Sequence, residues 1–431
     1  MDPRLLAAYN RELHYLRDLG GEFAAEFPKV AGRLGLESLE CADPYVERLL
    51  ESFAFLTARI QLKMDAEFPA FTQQLLHMVY PHALAPVPSL AMVQLAPHMA
   101  ERALVDGFRV ARGTVLRAAH GGNPTVCEFR TAHDVTLWPL ELASAEYTGF
   151  LADLGASRLT GKSALRLRLR GAPGLSMDQL ALDRLPVFVR DGDEIAMRLY
   201  ELLMAHTVGI VARPAGAAAS QVVSQGCVHP LGFEDDQALL PYGPRSFQGY
   251  RLLQEYFAFP QRFMFFELAG LNPALRTCPG QEIEIAVLFD QLDARLEKTV
   301  SEAELALFCT PAINLFPRRA DRINLDHSTS EVHVVPDRTR PMDFEVHSVT
   351  EVVGYGSGAE HKQEFLPFYA TSDHVSDGRR AYYTVNRQPR ALSARQHEQG
   401  ARSSYLGSEV FLSLVDPEQA PYNPRLRQLA V

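Results

Sequence analysis

The sequence predicts an α+β fold, with an N-terminal helical segment followed by mixed α+β and β-rich domains. Three observations carry that expectation. Apolar residues recur at three- and four-residue steps up to about residue 80. The period changes to two from about residue 90. No regular alternation of strand and helix follows, which argues against a doubly wound sheet or an α/β barrel. The expected divisions are a helical segment over 1–88 that would serve as an assembly bundle, a β-rich α+β domain over 89–228, an aromatic-rich α+β middle over 229–330, and a β-rich part over 331–431.

The elements follow in order. Leu5, Leu6, Tyr9, Leu13, Leu16 and Phe23 line one face of a first helix, which Gly20-Gly21 is expected to loosen or end. Asp43 and Pro44 supply an N-cap and a first-turn residue for a second helix. Its apolar face is wide: Val46, Leu49, Leu50, Phe53, Leu56, Ile60 and Met64. A third, short helix is expected from Pro69 to Tyr80. Pro81, Pro86 and Pro88 then force an extended path and mark a domain boundary.

Beyond it, AMVQLAP, FRVARGTVLRA, CEFRTA, DVTLWPLEL, ALRLRLRG and LPVFVR read as strands. In Leu165–Arg170 leucines and arginines alternate, so one sheet face should be wet or meet an acidic partner. A helix capped by Asp193 carries IAMRLYELLMAH, and 213–226 reads as a loop. A helix over 245–257 places Phe247, Tyr250, Leu253 and Phe257 on one side. RFMFFELAG and QEIEIAVLFD read as strands, SEAELALFC as a short helix capped by Ser301, and EVHVV, DFEVHSVTEVVGYG, AYYTVNR and SEVFLSLVD as strands.

Composition excludes several functions. With 42 Lys+Arg against 52 Asp+Glu, the net charge of −10 argues against nucleic acid and against an anionic membrane surface as main partner. No apolar run reaches the roughly 18 residues of a membrane span. The five cysteines, Cys41, Cys127, Cys227, Cys278 and Cys309, show no Cys-x-x-Cys spacing, which fits a reducing compartment and no zinc or redox motif. A cytoplasmic location is therefore expected. Lysine occurs at only five positions, so 37 of the 42 basic residues are arginine, a bias of codon usage or of interface chemistry.

No catalytic constellation emerges. Gly161-Lys162-Ser163 follows Gly155 by the wrong spacing for a phosphate-binding loop and leads into a strand. Gly354–Gly358 lacks the G-x-G-x-x-G order and reads as a hairpin or loop. Asp191/Asp193, Asp235/Asp236 and Asp290/Asp293 are close in sequence, which supplies no acid–base geometry. No serine elbow, metal-ligand spacing or nucleophilic cysteine signature is present, and no cofactor is implied. The aromatic stretches 255–260 and 263–266 read first as core and second as a subunit interface.

Longer stretches carry a family resemblance. YNRELHYLRDLGGEFAAEFPKVAGRLGL, DPYVERLLESFAFLTARIQLKMDAEFP, LLHMVYPHALAPVPSLAMVQ and PLGFEDDQALLPYGPRSFQGYRLLQEYFAFPQRFMFFEL, with CEFRTAHDV, LYELLMAH, CTPAINLF and FEVHSVTEVVG between and after them, resemble the TssF (VasA/ImpG) family of type VI secretion baseplate subunits. The resemblance implies a non-catalytic cytoplasmic scaffold whose fold is similar to contractile-phage baseplate wedge proteins. It implies a wedge of two TssF copies and one TssG-like subunit, with TssK-like and TssE-like subunits, around a VgrG-like spike, docked at the inner membrane through other subunits. It also implies that family members continue beyond residues 424–431, so that their C-terminal part is absent from this chain.

The candidate interface residues are Leu5, Tyr9, Leu13, Leu16, Val46, Leu49, Phe53, Ile60, Arg166 and Arg168. Two rival readings stand beside this one. A hydrolase could assemble a dispersed site from His333, His347 and nearby carboxylates, and a peptide-binding adaptor could use the LRLRLR strand as a sheet edge.

Overall fold

A computed structural model of the chain describes residues 3–34, 43–118, 125–154, 159, 161–190, 192–217, 221–224, 228–243, 246–297, 299–326, 328–356, 362–368, 381–390, 405 and 407–431. It divides into two units, Met1–Leu84 and Ala85–Val431.

The first unit is helical. Helix α1 (Pro3–Glu26) runs straight through Gly20-Gly21, contrary to the break expected there. Each glycine costs about 1 kcal/mol relative to alanine inside a helix, and the flanking turns and packing against the third helix outweigh that. Helix α2 is Pro28–Leu34. Helix α3 (Pro44–Val79) begins as expected: the Asp43 side chain accepts the Tyr45 N–H at 2.9 Å, with Pro44 in the first turn. It then continues unbroken across the point where a separate third helix is expected. Among the described residues the buried positions of the two long helices are alanines, Ala8 on α1 and Ala54 and Ala58 on α3. An Arg17–Glu47 ion pair links them.

The second unit is built on sheets whose strand pairs are antiparallel, except that Lys362–Pro367 pairs in parallel with Ala381–Pro389. The central one has the order β10 (Gln221–Ser224), β9 (Thr207–Pro214), β13 (Glu282–Phe289), β7 (Ser163–Gly171), β6 (Leu140–Thr148). The alternation in β7 sets its two faces. Leu165, Leu167 and Leu169 join Ile283, Ile285, Val287 and Phe289 of β13 in the main core. A second sheet packs into that core, ordered β11 (Val228–Leu231), β12 (Phe265–Ala269), β8 (Arg184–Val189), β14 (Leu305–Leu307). Helix α4 (Glu194–Ala205) closes it with Ala196, Leu199, Leu202 and Leu203, and its N-terminus is capped by Asp193, which accepts the Ala196 N–H at 2.8 Å.

A third sheet comprises β1 (Leu90–Gln94), β15 (Cys309–Ile313), β4 (Cys127–Thr131) and β3 (Val115–Ala118), and β2 (Phe108–Val110) pairs with β5 (Val135–Leu137). The C-terminal part forms a seven-stranded sheet: β16 (Ile323–Asn324), β22 (Leu426–Ala430), β18 (Val352–Gly356), β19 (Lys362–Pro367), β20 (Ala381–Pro389), β21 (Ser408–Val415) and β17 (Val332–His333). Its core holds Val352, Phe365, Tyr383, Leu412, Leu426 and Leu429. Two helices remain, α5 (Gln248–Ala258) and α6 (Asn272–Leu275).

Two local expectations are corrected and a third is narrowed. Within 213–226, β9 continues to Pro214 and Gln221–Ser224 pairs with it, while 218–220 and 225–226 lie outside the described residues. In SEAELALFC, Ser301 does cap a turn through the Ala303 N–H at 3.2 Å, but the helix stops after Glu304 because Leu305–Leu307 pairs with β8. Gly354–Gly356 is strand and pairs antiparallel with the next strand in sequence, as in the hairpin alternative of the expectation, and 357–358 lie outside the described residues. At Gly354 a Cβ would stand 2.8 Å from Leu426 Cδ1 and 3.1 Å from Phe365 Cε2, so packing rather than flexibility explains the glycine.

Candidate interaction surfaces

The helical unit turns small residues inward and large ones outward. On α3, Leu49 is 70% exposed, Phe53 58% and Ile60 61%, while Val46 is half-buried. Tyr45, Leu56, Met64, Phe71 and Val79 extend the same exposure along the helix. On α1, Leu5, Tyr9, Leu13 and Leu16 are half-buried, and Leu6, Tyr15 and Leu19 are exposed. Leu5 and Tyr9 meet Phe55 and Leu56 around a groove of about 590 Å³. The candidate residues of this unit thus lie on one helical pair, whose buried positions among the described residues are alanines.

Arg166 and Arg168 lie elsewhere, on the polar face of the central sheet. The acidic partners for that face come from this chain. Glu284 of β13 stands opposite Arg168 of β7 and Arg213 of β9. Its Oε2 accepts from Arg213 Nε and Nη2, both at 3.0 Å, and its Oε1 lies 3.5 Å from Arg166 Nη1. Arg170 pairs with Glu282 at 2.6 Å and with Glu141 at 3.3 Å. Arg166 also donates to the Phe150 carbonyl at 2.8 Å, while Arg168 stands exposed. Charge-bearing alternation on β7 is therefore matched strand by strand.

A third surface was only half legible. The periodicity of α5 places Phe247, Tyr250, Leu253 and Phe257 on one side, and the stretch 255–260 reads first as core and second as a subunit interface. The structure turns that side out: Phe247, Tyr250, Leu253 and Phe257 are 70%, 51%, 59% and 81% exposed. The inward face carries Arg251 and Glu255, both buried, which meet buried Arg262. Glu255 Oε1 accepts the N–H groups of Leu239 and Leu240 at 3.0 and 2.8 Å, and its other oxygen pairs with Arg262. Arg262 Nη2 donates to the carbonyls of Gly232 and Gln237 at 2.6 and 2.8 Å. Burial, then the Arg251 and Arg112 guanidinium groups, pull Arg262 down to about 9. The aromatic stretch 263–266, by contrast, is core, with Phe265 and Phe266 fully buried.

The dispersed-hydrolase residues do not converge. His347 lines a cavity of about 920 Å³ in the second unit, whereas His333 sits on edge strand β17 and stacks on Phe411 at 4.8 Å. Ionisable side chains lining the cavity are engaged with groups of this chain. Glu345 takes the Ser408 N–H and hydroxyl and the Tyr405 phenol, Arg318 pairs with Asp337 at 2.8 Å, and Arg390 faces Glu409 at 3.8 Å. Loss of hydration, and then the Glu345 carboxylate, push Tyr405 up to about 12.

The carboxylate pairs serve structure as well. Asp193 caps α4, Asp290 meets His206 Nδ1 at 2.8 Å, and Asp293 meets Arg198 at 3.3 Å; Asp191 lies outside the described residues. Gly161-Lys162 turns directly into β7, with the Lys162 N–H donating to the Phe289 carbonyl at 2.7 Å. Burial raises the Cys309 thiol to about 11, the reverse of nucleophile activation. Among the described residues no cluster of His, Cys, Asp and Glu could hold a metal ion, and no helix is long and apolar enough to cross a membrane.

The family model described as "Type VI secretion system, TssF" matches residues 1–431. The chain is 54% identical over 437 residues to the type VI secretion system component TssF1 of Pseudomonas aeruginosa, covering all of this chain and 70% of that relative. A cryo-electron microscopy structure of a type VI secretion TssK-TssF-TssG baseplate subcomplex contains a chain of the same fold, with a TM-score of 0.65 at 26% identity over 89% of this chain and 67% of that one. The mixed α+β architecture with helices at the N-terminus is shared with that subcomplex. The family is one of structural baseplate components rather than enzymes. A match that runs from the first residue to the last leaves one conclusion: the chain belongs to the TssF family of type VI secretion baseplate components.

Proposed function

We propose that the chain is a structural subunit of a baseplate wedge. In this reading it assembles with TssG-like and TssK-like subunits, a second copy of itself and a TssE-like subunit around a VgrG-like spike. It works in the bacterial cytoplasm, supports the contractile sheath and tube, and reaches the inner membrane through other subunits. The segment 1–88 acts as the assembly bundle.

One observation carries the reading. The α1–α3 pair buries Ala8, Ala54 and Ala58 and leaves Leu49, Phe53 and Ile60 more than half exposed. Contiguous exposed apolar surface of this extent marks an interaction face, and an obligate interface resembles a core cut in two. Amphipathic helices at one chain end suit an intersubunit bundle. The chain similar to this one in the TssK-TssF-TssG structure supports the choice of partners.

The test is co-expression with the TssG-like subunit from the same secretion system. The chain alone is expected to self-associate or precipitate, and the co-expressed chain to run as one defined complex. A monodisperse monomer that ignores the TssG-like subunit contradicts the proposal.

A further inference from the structure

Helix α5 is inside out. Of its eleven residues the two charged ones, Arg251 and Glu255, are 1% and 0% exposed. Tyr250, Leu253, Tyr256 and Phe257, with Phe247 just before the helix, face solvent. The exposed ridge contains no charge. We infer that this ridge and the acidic turn beside it form a docking surface for an amphipathic helix of a heterologous partner, one whose apolar face is flanked by lysine or arginine. The inference rests on the assembly reading above.

The azimuth of α5 is fixed by chemistry rather than by hydrophobicity. Rotating the ridge inward would tear Glu255 from the Leu239 and Leu240 amides and from Arg262. Removing one member of a buried charged set strands the others, so the helix is held with its aromatics outward. The same cluster clamps the neighbouring loop. Arg262 binds the Gly232 and Gln237 carbonyls, and Arg112 binds the Asp236 and Ala238 carbonyls. Gly232 is required there: its φ is +101°, and a Cβ would stand 2.9 Å from the Arg262 carbonyl oxygen.

That loop supplies the border of the ridge. Phe233 packs on Phe263 at 5.0 Å between centroids, Tyr256 packs on Phe263 at 6.2 Å, and Tyr256 meets Phe257 at 5.5 Å, so ring contacts run from loop to helix through the buried Phe263. Glu234, Asp235 and Asp236 follow Phe233 directly and are exposed. Asp235 lies 3.6 Å from Arg251. Glu234 and Asp236 enter no ion pair among the described residues.

Charge and area choose the occupant. A ridge of five large side chains, each at least half exposed, offers of the order of 600 Å², most of the roughly 800 Å² per partner of a standard interface. A second copy would bring another acidic turn and another net charge of −10 to this face without a basic counterpart. A helix docked by residues at i, i+3, i+4 and i+7 fits an uncharged ridge of this length, and basic flanks would meet Glu234 and Asp236.

The test uses the full chain with the TssG-like and TssK-like subunits, each separately. Two variants are compared with wild type: Tyr250→Ser/Leu253→Ser/Phe257→Ser, and Glu234→Lys/Asp236→Lys. The ridge variant is expected to keep the wild-type melt and to bind one of the subunits at least about tenfold more weakly, the loss of one good apolar anchor or more. The charge reversal is expected to weaken the same interaction about threefold or more at low salt, with the difference shrinking as salt rises. If the ridge variant fails to melt cooperatively, the charge reversal decides alone. Unchanged binding of both subunits by the folded variants overturns the inference, as does a ridge variant that loses only self-association. Wild type that binds neither subunit contradicts the assembly proposal itself, which separates the two failures.

Discussion

Glu255 is the residue on which the region around α5 turns. Its carboxylate is wholly buried, satisfies two backbone N–H groups and neutralises two arginines. Glu255→Leu is expected to destabilise by about 3–5 kcal/mol, because the guanidinium groups would remain buried without a counter-ion. The triple change Arg251→Met/Glu255→Leu/Arg262→Met should recover a large part of that loss, and chemical denaturation of both variants measures it. Nearby His133 gives a pH signature. It packs edge-on against Phe265 at 5.4 Å between centroids. Burial first, then Arg262 and Arg112, depress its pKa to about 3. The folded state therefore holds the neutral ring. Between pH 6.5 and about 3 the unfolded chain binds a proton that the folded chain refuses, so stability falls as pH drops through that window. Above pH 6.5 this residue adds no pH dependence. His133→Phe should flatten the slope by about 3 kcal/mol between pH 6.5 and 4, read from urea midpoints across that range.

The helices and strands show how far local sequence reaches. Asp43-Pro44 and Asp193 announce their helices and cap them in the structure. Asp193→Ala is expected to cost about 1 kcal/mol, and Asp43→Ala a similar amount in the helical unit; thermal melts that show neither loss would remove the capping argument. Other elements depend on residues far away in the chain. The Leu/Arg alternation of β7 is plain, but the acids facing it, Glu282 and Glu284, lie more than a hundred residues downstream, so the sequence could not say that the chain supplies its own counter-charges. Ser301 signals a helix start that ends after one turn because Leu305–Leu307 finds β8. On α5 the period was readable and the sidedness was not. Burying Arg251 and Glu255 is favourable only because Arg262 and the loop amides converge on them, and no local pattern reveals that. The outward face of α3 is a similar case. Leu49, Phe53 and Ile60 read as candidate interface because the stripe is wider than one packing seam, while the buried alanines of the pair carry no periodic signal of their own.

Across the described residues, large apolar side chains divide into buried and exposed sets, and energetics can test whether the two serve different purposes. In the second unit the cores are closed: Phe289 and Leu412 are each 0% exposed. On α3 comparably large residues stand in solvent. Exposed side chains have little burial to lose on unfolding, so Leu49→Ser, Phe53→Ser and Ile60→Ser should each shift the stability of the isolated chain by no more than about 0.5 kcal/mol. Phe289→Ala removes a packed ring and should cost about 3–5 kcal/mol. Assembly should rank the variants in the opposite order. The α3 variants lose the surface that a partner would cover and are expected to bind the TssG-like subunit at least about tenfold more weakly, whereas the Phe289→Ala chain, at temperatures where it remains folded, should bind almost as wild type does. Urea unfolding and titration binding on the same preparations give both rankings. If the α3 substitutions cost as much stability as the core substitution, those residues pack within the chain, and the helical pair is a domain core rather than half of an interface.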